Sequence, residues 1–395
     1  MFLLSSGCKG FVKTRFRLPF VLSRITFYKF LELPLHFQVI QTDILRYVMP
    51  ATEFATTDRR SAEENPVRRQ GIASFFDPLR AGLQLPFHHV LFPYGFSTHI
   101  KTNDPALIRA AELSWGAFRS RFREEPIELR FLVSDFTGRR RPPNPVFRAQ
   151  ANLLTMVADA HNFACCDLAS GFGFACLTKA AVVSTDYVRY HFLDAMVSAL
   201  LDTQHMVAIH AACVAKDSHG VLLVGDSGAG KSSLAYACAR RGWTYIADDS
   251  SSVLRRKIGR LVVGNPQTFR FRPAASELFP ELDGRVRLRN GKPTMEIRTE
   301  RLPHLKTAVE CSIDYVIFLD RLQTGDSAPN LAPVSREESL RRLFQKHLWP
   351  AELPIHDERL EAVERLLDAH LLQLTYNDLE PAIDLLERVM GEPKP

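Results

Sequence analysis

The chain lacks the features that mark a membrane-spanning or secreted protein. No apolar run in its 395 residues comes near the roughly 18 that a helix needs to cross a bilayer. Residues 1–50 are basic and rich in Phe and Leu, but charges interrupt every apolar run and no small-residue cleavage site follows, which excludes a secretory signal. The seven cysteines include no C-x-x-C pair, which favours reduced thiols in a cytoplasmic protein.

The sequence also lacks a strong excess of charge of one sign. It has 50 Lys and Arg residues against 44 Asp and Glu residues, so its net charge is +6. This excess suits a protein that meets phosphates or acidic partners, but it is too small to indicate nucleic acid, and no nucleic-acid partner is predicted. The hydrophobic fraction of 46% is that of an ordinary globular protein, and the length suffices for about two or three domains.

Composition and pattern divide the chain into four segments. These are residues 1–84, 85–184, 185–335 and 336–395. We expect the first to be a basic, disordered extension, with Met49 as an alternative start and a membrane-surface helix as the other interpretation of residues 1–50. The second is a small α+β domain, with a helix start at Asp104 and a half-buried strand over 127–133. The third carries the motifs below, and the fourth is helical.

One stretch of the third segment carries the clearest chemical signal. An apolar strand, 221–224, and a helix-forming run, 234–239, flank the pattern G-x-x-x-x-G-K-[ST] of a phosphate-binding loop. Its residues are Gly225, Asp226, Ser227, Gly228, Ala229, Gly230, Lys231, Ser232 and Ser233. In such a loop backbone N–H groups surround an anion, the lysine reaches the β- and γ-phosphates, and the first serine binds Mg²⁺. The alternative is a glycine-rich turn that binds nothing.

Two adjacent acids, Asp248 and Asp249, follow the strand that the sequence predicts over 243–247. Ligands of open α/β sheets lie beyond the carboxyl ends of strands, so these acids are expected beside the loop. There, one acid can bind Mg²⁺ and the other can accept a proton from an attacking hydroxyl. A solvated turn or a helix N-cap is the alternative.

Two further residues are site candidates. Asp320 ends an apolar strand, 313–320, in the general form of a Walker B element. Arg321 follows it in place of a second acid, so a core strand that ends in a polar turn is favoured. His210 lies in the strand predicted over 206–215, and the residues by themselves leave a structural and a catalytic role open.

The turn before the loop and the C-terminal segments also indicate structure. A hairpin turn at 216–220 leads into the strand before the loop, which predicts antiparallel pairing beside the loop. The patterns of 336–349 and 357–391 predict amphipathic helices that cap the domain, clamp a substrate or form a dimer, and capping is favoured.

Taken together, four blocks of the sequence resemble the catalytic domain of HPr kinase/phosphorylase. The blocks are Ile209-His210, Gly220–Ser233, Arg240-Arg241-Gly242 and Ala247-Asp248-Asp249, in this order. The resemblance extends over about 205–300 in the chain. It implies a mixed-sheet α/β (α+β) domain with a P-loop, similar to phosphoenolpyruvate carboxykinase, and the activity of a bacterial protein-serine kinase that uses ATP and Mg²⁺.

The resemblance also implies roles for individual residues. The catalytic histidine of the family matches His210, and its loop lysine matches Lys231. The acid pair of the family matches Asp248 and Asp249, and one acid of the pair acts as the base on the substrate serine. Asp248 is favoured as the base, which leaves Asp249 and the loop residue Ser232 to bind Mg²⁺, and the reverse assignment of the two acids is the alternative.

Departures from the family pattern bear on the acceptor. Glu296-Ile297-Arg298 resembles the Glu-Ile-Arg-Gly element of the family, with Thr299 in place of glycine, but the hallmark segment that follows is not recognisable. The start at Phe92–Phe96 resembles divergent HPr-kinase-related proteins. The sequence therefore predicts transfer of the ATP γ-phosphate to a serine-type hydroxyl of a protein, peptide or small molecule other than HPr. The alternatives are an ATP-binding sensor without phosphotransfer and a P-loop ATPase that uses Asp320.

Overall fold

Mixed sheets and helices alternate along the chain, which confirms the predicted α/β (α+β) class. The computed structural model describes residues 83–136, 142–255, 259–282, 284–289, 292–322, 328–345 and 356–391. The predicted extension over residues 1–84 lies outside these ranges except for its last two residues. No helix within them is both long and apolar enough to cross a bilayer. The division at residues 184 and 335 stays a prediction.

A seven-stranded sheet occupies the first part of the described chain. Its strands are β1 (Phe87–Leu91), β2 (Thr98–Thr102), β3 (Ile127–Ser134), β4 (Val146–Gln150), β5 (Leu153–Val157), β6 (Phe163–Asp167) and β7 (Phe172–Thr178), in the order β1-β2-β3-β7-β6-β5-β4. Alternate residues of β3, from Ile127 to Val133, are buried, as the sequence alternation predicts.

Helices that follow or interrupt these strands pack on this sheet. They are α1 (Pro105–Trp115), α2 (Lys179–Val183), α3 (Thr185–Val188) and α4 (Asp194–Gln204), with a 3-10 turn at Pro93–Gly95 and a π turn at Arg189–Leu193. The predicted start of α1 is confirmed, because the Asp104 side chain accepts a hydrogen bond from the Ala106 N–H. Leu107 of α1 and Leu200 of α4 share the buried core with Leu129 of β3.

Thirteen strands follow α4 in the described chain. They are β8 (Met206–Ile209), β9 (Ala211–Lys216), β10 (His219–Val224), β11 (Thr244–Ala247), β12 (Ser251–Leu254), β13 (Leu261–Gly264), β14 (Thr268–Phe271), β15 (Arg285–Arg289), β16 (Lys292–Arg298), β17 (Lys306–Thr307), β18 (Glu310–Arg321), β19 (Asn330–Pro333) and β20 (His370–Tyr376). Ten of them form one sheet in the order β17-β11-β9-β10-β18-β13-β12-β8, with β20 paired to β18 and β19 paired to β20. The other three form a small sheet in the order β14-β16-β15.

Helices cover both faces of the ten-stranded sheet. They are α5 (Lys231–Arg240), α6 (Ala275–Leu278), α7 (Arg336–Gln345), α8 (His356–Glu364) and α9 (Leu379–Gly391), with 3-10 turns at Thr299–Arg301 and Arg365–Asp368. On one face Ile317 and Leu319 of β18 share a core with α5 and α9. On the other face Val316 and Phe318 share a core with α7 and α8. The C-terminal helices thus cap the sheet, which was the favoured interpretation.

The strand order determines which chain ends meet. β9 pairs antiparallel with both β10 and β11, so the predicted antiparallel hairpin into β10 is confirmed. Because β10 and β11 run in the same direction, their carboxyl ends both lie at the amino end of β9. The loop that follows β10, the acids that follow β11 and the residue that precedes β9 are therefore brought to one edge of the sheet.

Two predicted elements differ from the structure. The strand predicted over 206–215 is broken at His210 into β8 and β9, which pair with different neighbours. The helix predicted over 357–391 is wrong at 370–376, where β20 runs parallel to β18. A short apolar run such as His370–Tyr376 does not distinguish a buried strand from a helix by its pattern, so the partner strand decides.

Candidate functional site

The glycine-rich loop, residues Gly225–Gly230, joins β10 to α5. Gly228 and Gly230 have φ values of 93° and 91°, in the left-handed region that side chains disfavour. A Cβ atom on Gly230 would lie 2.4 Å from the Tyr376 hydroxyl, which leaves no room for a side chain. Gly230 is the N-cap residue of α5 and has no side chain that could accept from the first N–H groups of the helix, which face the loop as a site for an anion.

Lys231, the first residue of α5, reaches back across the loop. Its ammonium group donates to the carbonyl oxygens of Gly225, at 2.9 Å, and Asp226, at 3.2 Å. It also lies 3.1 Å from Nε2 of His210. The side chain is buried, so water screens its positive charge only weakly at the mouth of the loop.

His210 lies at the break between β8 and β9, directly beside Lys231. Its Nδ1 lies 3.2 Å from Oδ1 of Asp249 and 3.1 Å from the Asp249 carbonyl oxygen. A neutral ring with its proton on Nδ1 donates to Asp249 and accepts from Lys231 through Nε2. The structure thus brings His210 to the loop lysine, and its catalytic role stays a prediction.

Asp248 and Asp249 have different surroundings. Asp248 is only 3% exposed, and its Oδ2 accepts a hydrogen bond of 2.5 Å from the backbone N–H of Arg270. The side chain of Asp249 is 51% exposed and faces His210. The hydroxyl of Ser232 donates to the Asp248 carbonyl oxygen at 3.5 Å, which ties the start of α5 to the acid pair.

A half-buried network of Arg270, Glu296 and Tyr190 beside Asp248 was not foreseen from the sequence. Burial lowers the pKa of Arg270, but the charges of Asp248 and Glu296 act against it, and the pKa ends above its ordinary value. Glu296 accepts a hydrogen bond from the Tyr190 hydroxyl at 2.7 Å and lies 3.5 Å from Nε of Arg270. Burial, followed by the charge of Glu296, raises the pKa of Tyr190 to about 12.

Only part of this network had a signal in the sequence. Glu296 and Arg298 belong to the Glu-Ile-Arg element, whereas Arg270 and Tyr190 stand in no motif. The structure places Arg298 next to Glu300, with 2.9 Å between Nε and Oε1, so it pairs with a carboxylate. Pairing of β14 with β16, which sets Arg270 opposite Glu296, creates the network.

Asp320 lies on the face of β18 that is turned away from α5. Phe318, two residues before Asp320 and therefore on the same face of β18, belongs to the core with α7 and α8. Leu319, on the opposite face, belongs to the core with α5. The exposed Asp320 carboxylate accepts from Nε2 of Gln373 at 3.3 Å. This placement does not favour a Walker B role.

The donor set near Ser232 fits Mg²⁺. Magnesium prefers oxygen ligands and usually takes one or two carboxylates together with substrate phosphates and water, so the Ser232 hydroxyl and Asp249 are suitable donors. No group of three or more His, Cys, Asp or Glu that could hold a metal ion by itself is present in the described ranges. A magnesium ion at this site would therefore depend on the nucleotide for the remaining ligands.

Fold and site together define a mixed α/β protein with a glycine-rich loop, a buried lysine and paired acids at one sheet edge. One family model matches the part of the chain that contains this site. Residues 202–271 match the model described as HPr Serine kinase C-terminal domain, and the matched range contains the loop, His210 and the acid pair. The chain thus carries an HPr-kinase-related domain, as the sequence resemblance predicted.

The HPr(Ser) kinase/phosphatase from Coxiella burnetii is similar at 14% identity over 47% of this chain and 99% of that chain, with a TM-score of 0.25. No curated protein matches the chain.

Proposed function

We propose that this protein is an ATP-dependent kinase that transfers the γ-phosphate to a serine-type hydroxyl. The observation that supports this most is the convergence of Lys231, His210 and Asp249, from three separate segments, at the mouth of the glycine-rich loop. Phosphoryl transfer needs little beyond positioning and charge stabilisation, and this arrangement offers both.

Each part of the site has a role in the proposal. The N–H groups of the loop and of the first turn of α5 hold the phosphates, and Lys231 turns from the loop carbonyls to the β- and γ-phosphates. Ser232 and Asp249 hold Mg²⁺, which supplies positive charge that neutralises the phosphates.

One acid of the pair accepts the proton of the attacking hydroxyl. The family resemblance assigns the base to one acid of the pair, and the proposal takes Asp248, which is buried and held by the Arg270 N–H. Asp249 is the more exposed acid and is joined to His210. The two side chains thus offer two routes for the proton, and variants of each acid separate them.

The acceptor is proposed to be a hydroxyl of a protein, peptide or small molecule other than HPr. This part of the proposal rests on the sequence beyond Arg298, where the hallmark segment of the family is not recognisable. The proposed setting is the cytoplasm of a bacterium.

Labelled ATP tests the proposed function. The full chain is incubated with γ-labelled ATP and a bacterial lysate, and labelled products are separated by size and identified by mass spectrometry. We expect label on an acceptor with the unaltered chain, and at least an about 100-fold loss with Lys231→Ala. Lys306→Ala, at an exposed position on β17, is the matched control and should label normally.

Three outcomes would contradict the proposal. Transfer that persists in Lys231→Ala would remove the assigned site. Tight ATP binding without any labelled acceptor and without release of phosphate would favour the alternative of an ATP-binding sensor or scaffold. Release of phosphate to water alone, lost in Asp320→Asn, would favour the ATPase.

A further inference from the structure

Arg321 ends β18 next to the glycine-rich loop. Residues of β18 alternate between the two faces of the sheet, and Ile317 and Leu319 lie on the face that carries α5. Arg321 continues this series by two residues, so it belongs to the same face as α5. Asp320, one residue earlier, belongs to the opposite face.

Contacts at Gly230 bring Arg321 to the loop itself. A Cβ atom built on Gly230 would lie 3.6 Å from Cδ of Arg321. Arg321 pairs in register with Tyr376 of β20, and the Tyr376 hydroxyl donates to the Ala229 carbonyl oxygen at 2.9 Å. The stem of Arg321 and the ring of Tyr376 therefore support the same turn of the loop.

The charge of Arg321 is also close to this turn. Burial raises the pKa of the Tyr376 hydroxyl to about 12, and the positive charge of Arg321 acts in the opposite direction. The half-buried Arg321 forms no salt bridge with a carboxylate in the described part of the chain. A cation held at a phosphate-binding loop suits a phosphate ligand.

We propose that Arg321 binds the α- and β-phosphates of the nucleotide from the β18 side of the glycine-rich loop. Lys231 and His210 approach the loop from the β9 side, so β10 separates the two groups of charges. Backbone N–H groups of such loops surround the α- and β-phosphates, and Gly230, next to Arg321, belongs to that part. The proposal rests on the proposed nucleotide-binding function and adds a residue that no motif contains.

Calorimetric titration of the full chain with Mg·ATP and Mg·ADP tests this role. Arg321→Met keeps most of the apolar stem beside Gly230 and removes the charge. Charge-assisted hydrogen bonds contribute enough that we expect affinity to fall about 10- to 100-fold. The fall should be similar for both nucleotides, since both contain the α- and β-phosphates. Arg321→Lys keeps the charge but loses the planar fork, so its affinity should lie between those of the unaltered chain and Arg321→Met.

A matched control and a separate readout make the outcomes distinct. Arg336→Met, at an exposed arginine that pairs with Asp368 on the surface, should bind both nucleotides normally. Thermal unfolding of each variant verifies that it is folded. If Arg321→Met and Arg321→Lys bind both nucleotides as tightly as the unaltered chain, or if only ATP is weakened, this inference fails while the proposed function stands. If the unaltered chain binds neither nucleotide, both fail.

Discussion

The ammonium group of Lys231 lies 3.1 Å from Nε2 of His210, although the two residues are 21 positions apart in the chain. The contact exists because β9 lies beside β10 and begins where β10 ends. A histidine that would be an ordinary strand residue in another sheet order is thereby placed at the loop lysine.

Replacing His210 tests whether this contact acts in catalysis. In His210→Gln we expect kcat for phosphotransfer to fall about 100-fold, within the range of general acid–base contributions, while KM for ATP changes little. The reason is that His210 links Asp249 to Lys231, whereas the loop N–H groups still hold the phosphates. Steady-state kinetics measures both constants. His304→Gln, at an exposed histidine, is the control, and an equal loss there would count against a specific role.

The acid pair gives a second prediction. If Asp248 is the base, Asp248→Asn should lower kcat by about 10²- to 10⁴-fold and leave ATP affinity nearly unchanged. Asp249→Asn should instead raise the Mg²⁺ concentration needed for half-maximal activity, because a carboxylate ligand is lost. A magnesium titration of activity for both variants measures this. The reverse pattern would exchange the two roles.

Two glycines of the loop give a matched comparison of backbone and space. Gly228 and Gly230 have nearly equal φ values, but a Cβ on Gly228 meets nothing within 4 Å, while one on Gly230 meets the Tyr376 hydroxyl. Gly228→Ala should therefore cost only what a left-handed backbone costs a residue with a Cβ, about 1–2 kcal/mol of unfolding free energy. Gly230→Ala should cost more, and Tyr376→Phe in the same chain should recover part of the difference. Urea unfolding measures each variant, and equal costs at the two positions would contradict the packing argument.

Asp202 predicts how stability depends on pH. Burial raises the pKa of this carboxyl to about 7, against the opposing charge of Arg359, while a carboxyl in an unfolded chain titrates near pH 4. Between these values the folded state binds the proton more tightly, so stability should fall as pH rises from about 4 to about 7 and then level off.

Asp202→Asn removes the titrating group and should lack this component of the pH dependence. Urea unfolding at several pH values between 4 and 8 compares it with the unaltered chain and with Asp378→Asn, at an exposed position. Parallel pH profiles for the unaltered chain and Asp202→Asn would show that burial of Asp202 does not set the trend.

Local pattern sufficed where chemistry and spacing act within a few residues. The loop, the helix that follows it and the strand that ends before Asp248 follow from glycine positions, helix propensity and alternation. Short apolar runs were the weak point, because His370–Tyr376 satisfies a helical and a strand pattern alike. Neither Arg270 nor Arg321 carried a signal, since each owes its place to a strand pairing between distant segments.

By itself the sequence determined that a glycine-rich loop with Lys231 stands between a strand and a helix, with two acids at the end of the next strand. Only the tertiary structure decided that His210 meets Lys231, that Asp248 is buried and Asp249 exposed, and that Arg321 rather than Asp320 lies on the face of the loop. The physical reason is that backbone hydrogen bonding between strands far apart in the chain sets their order and register, and the alternation of side chains then assigns each residue to one face.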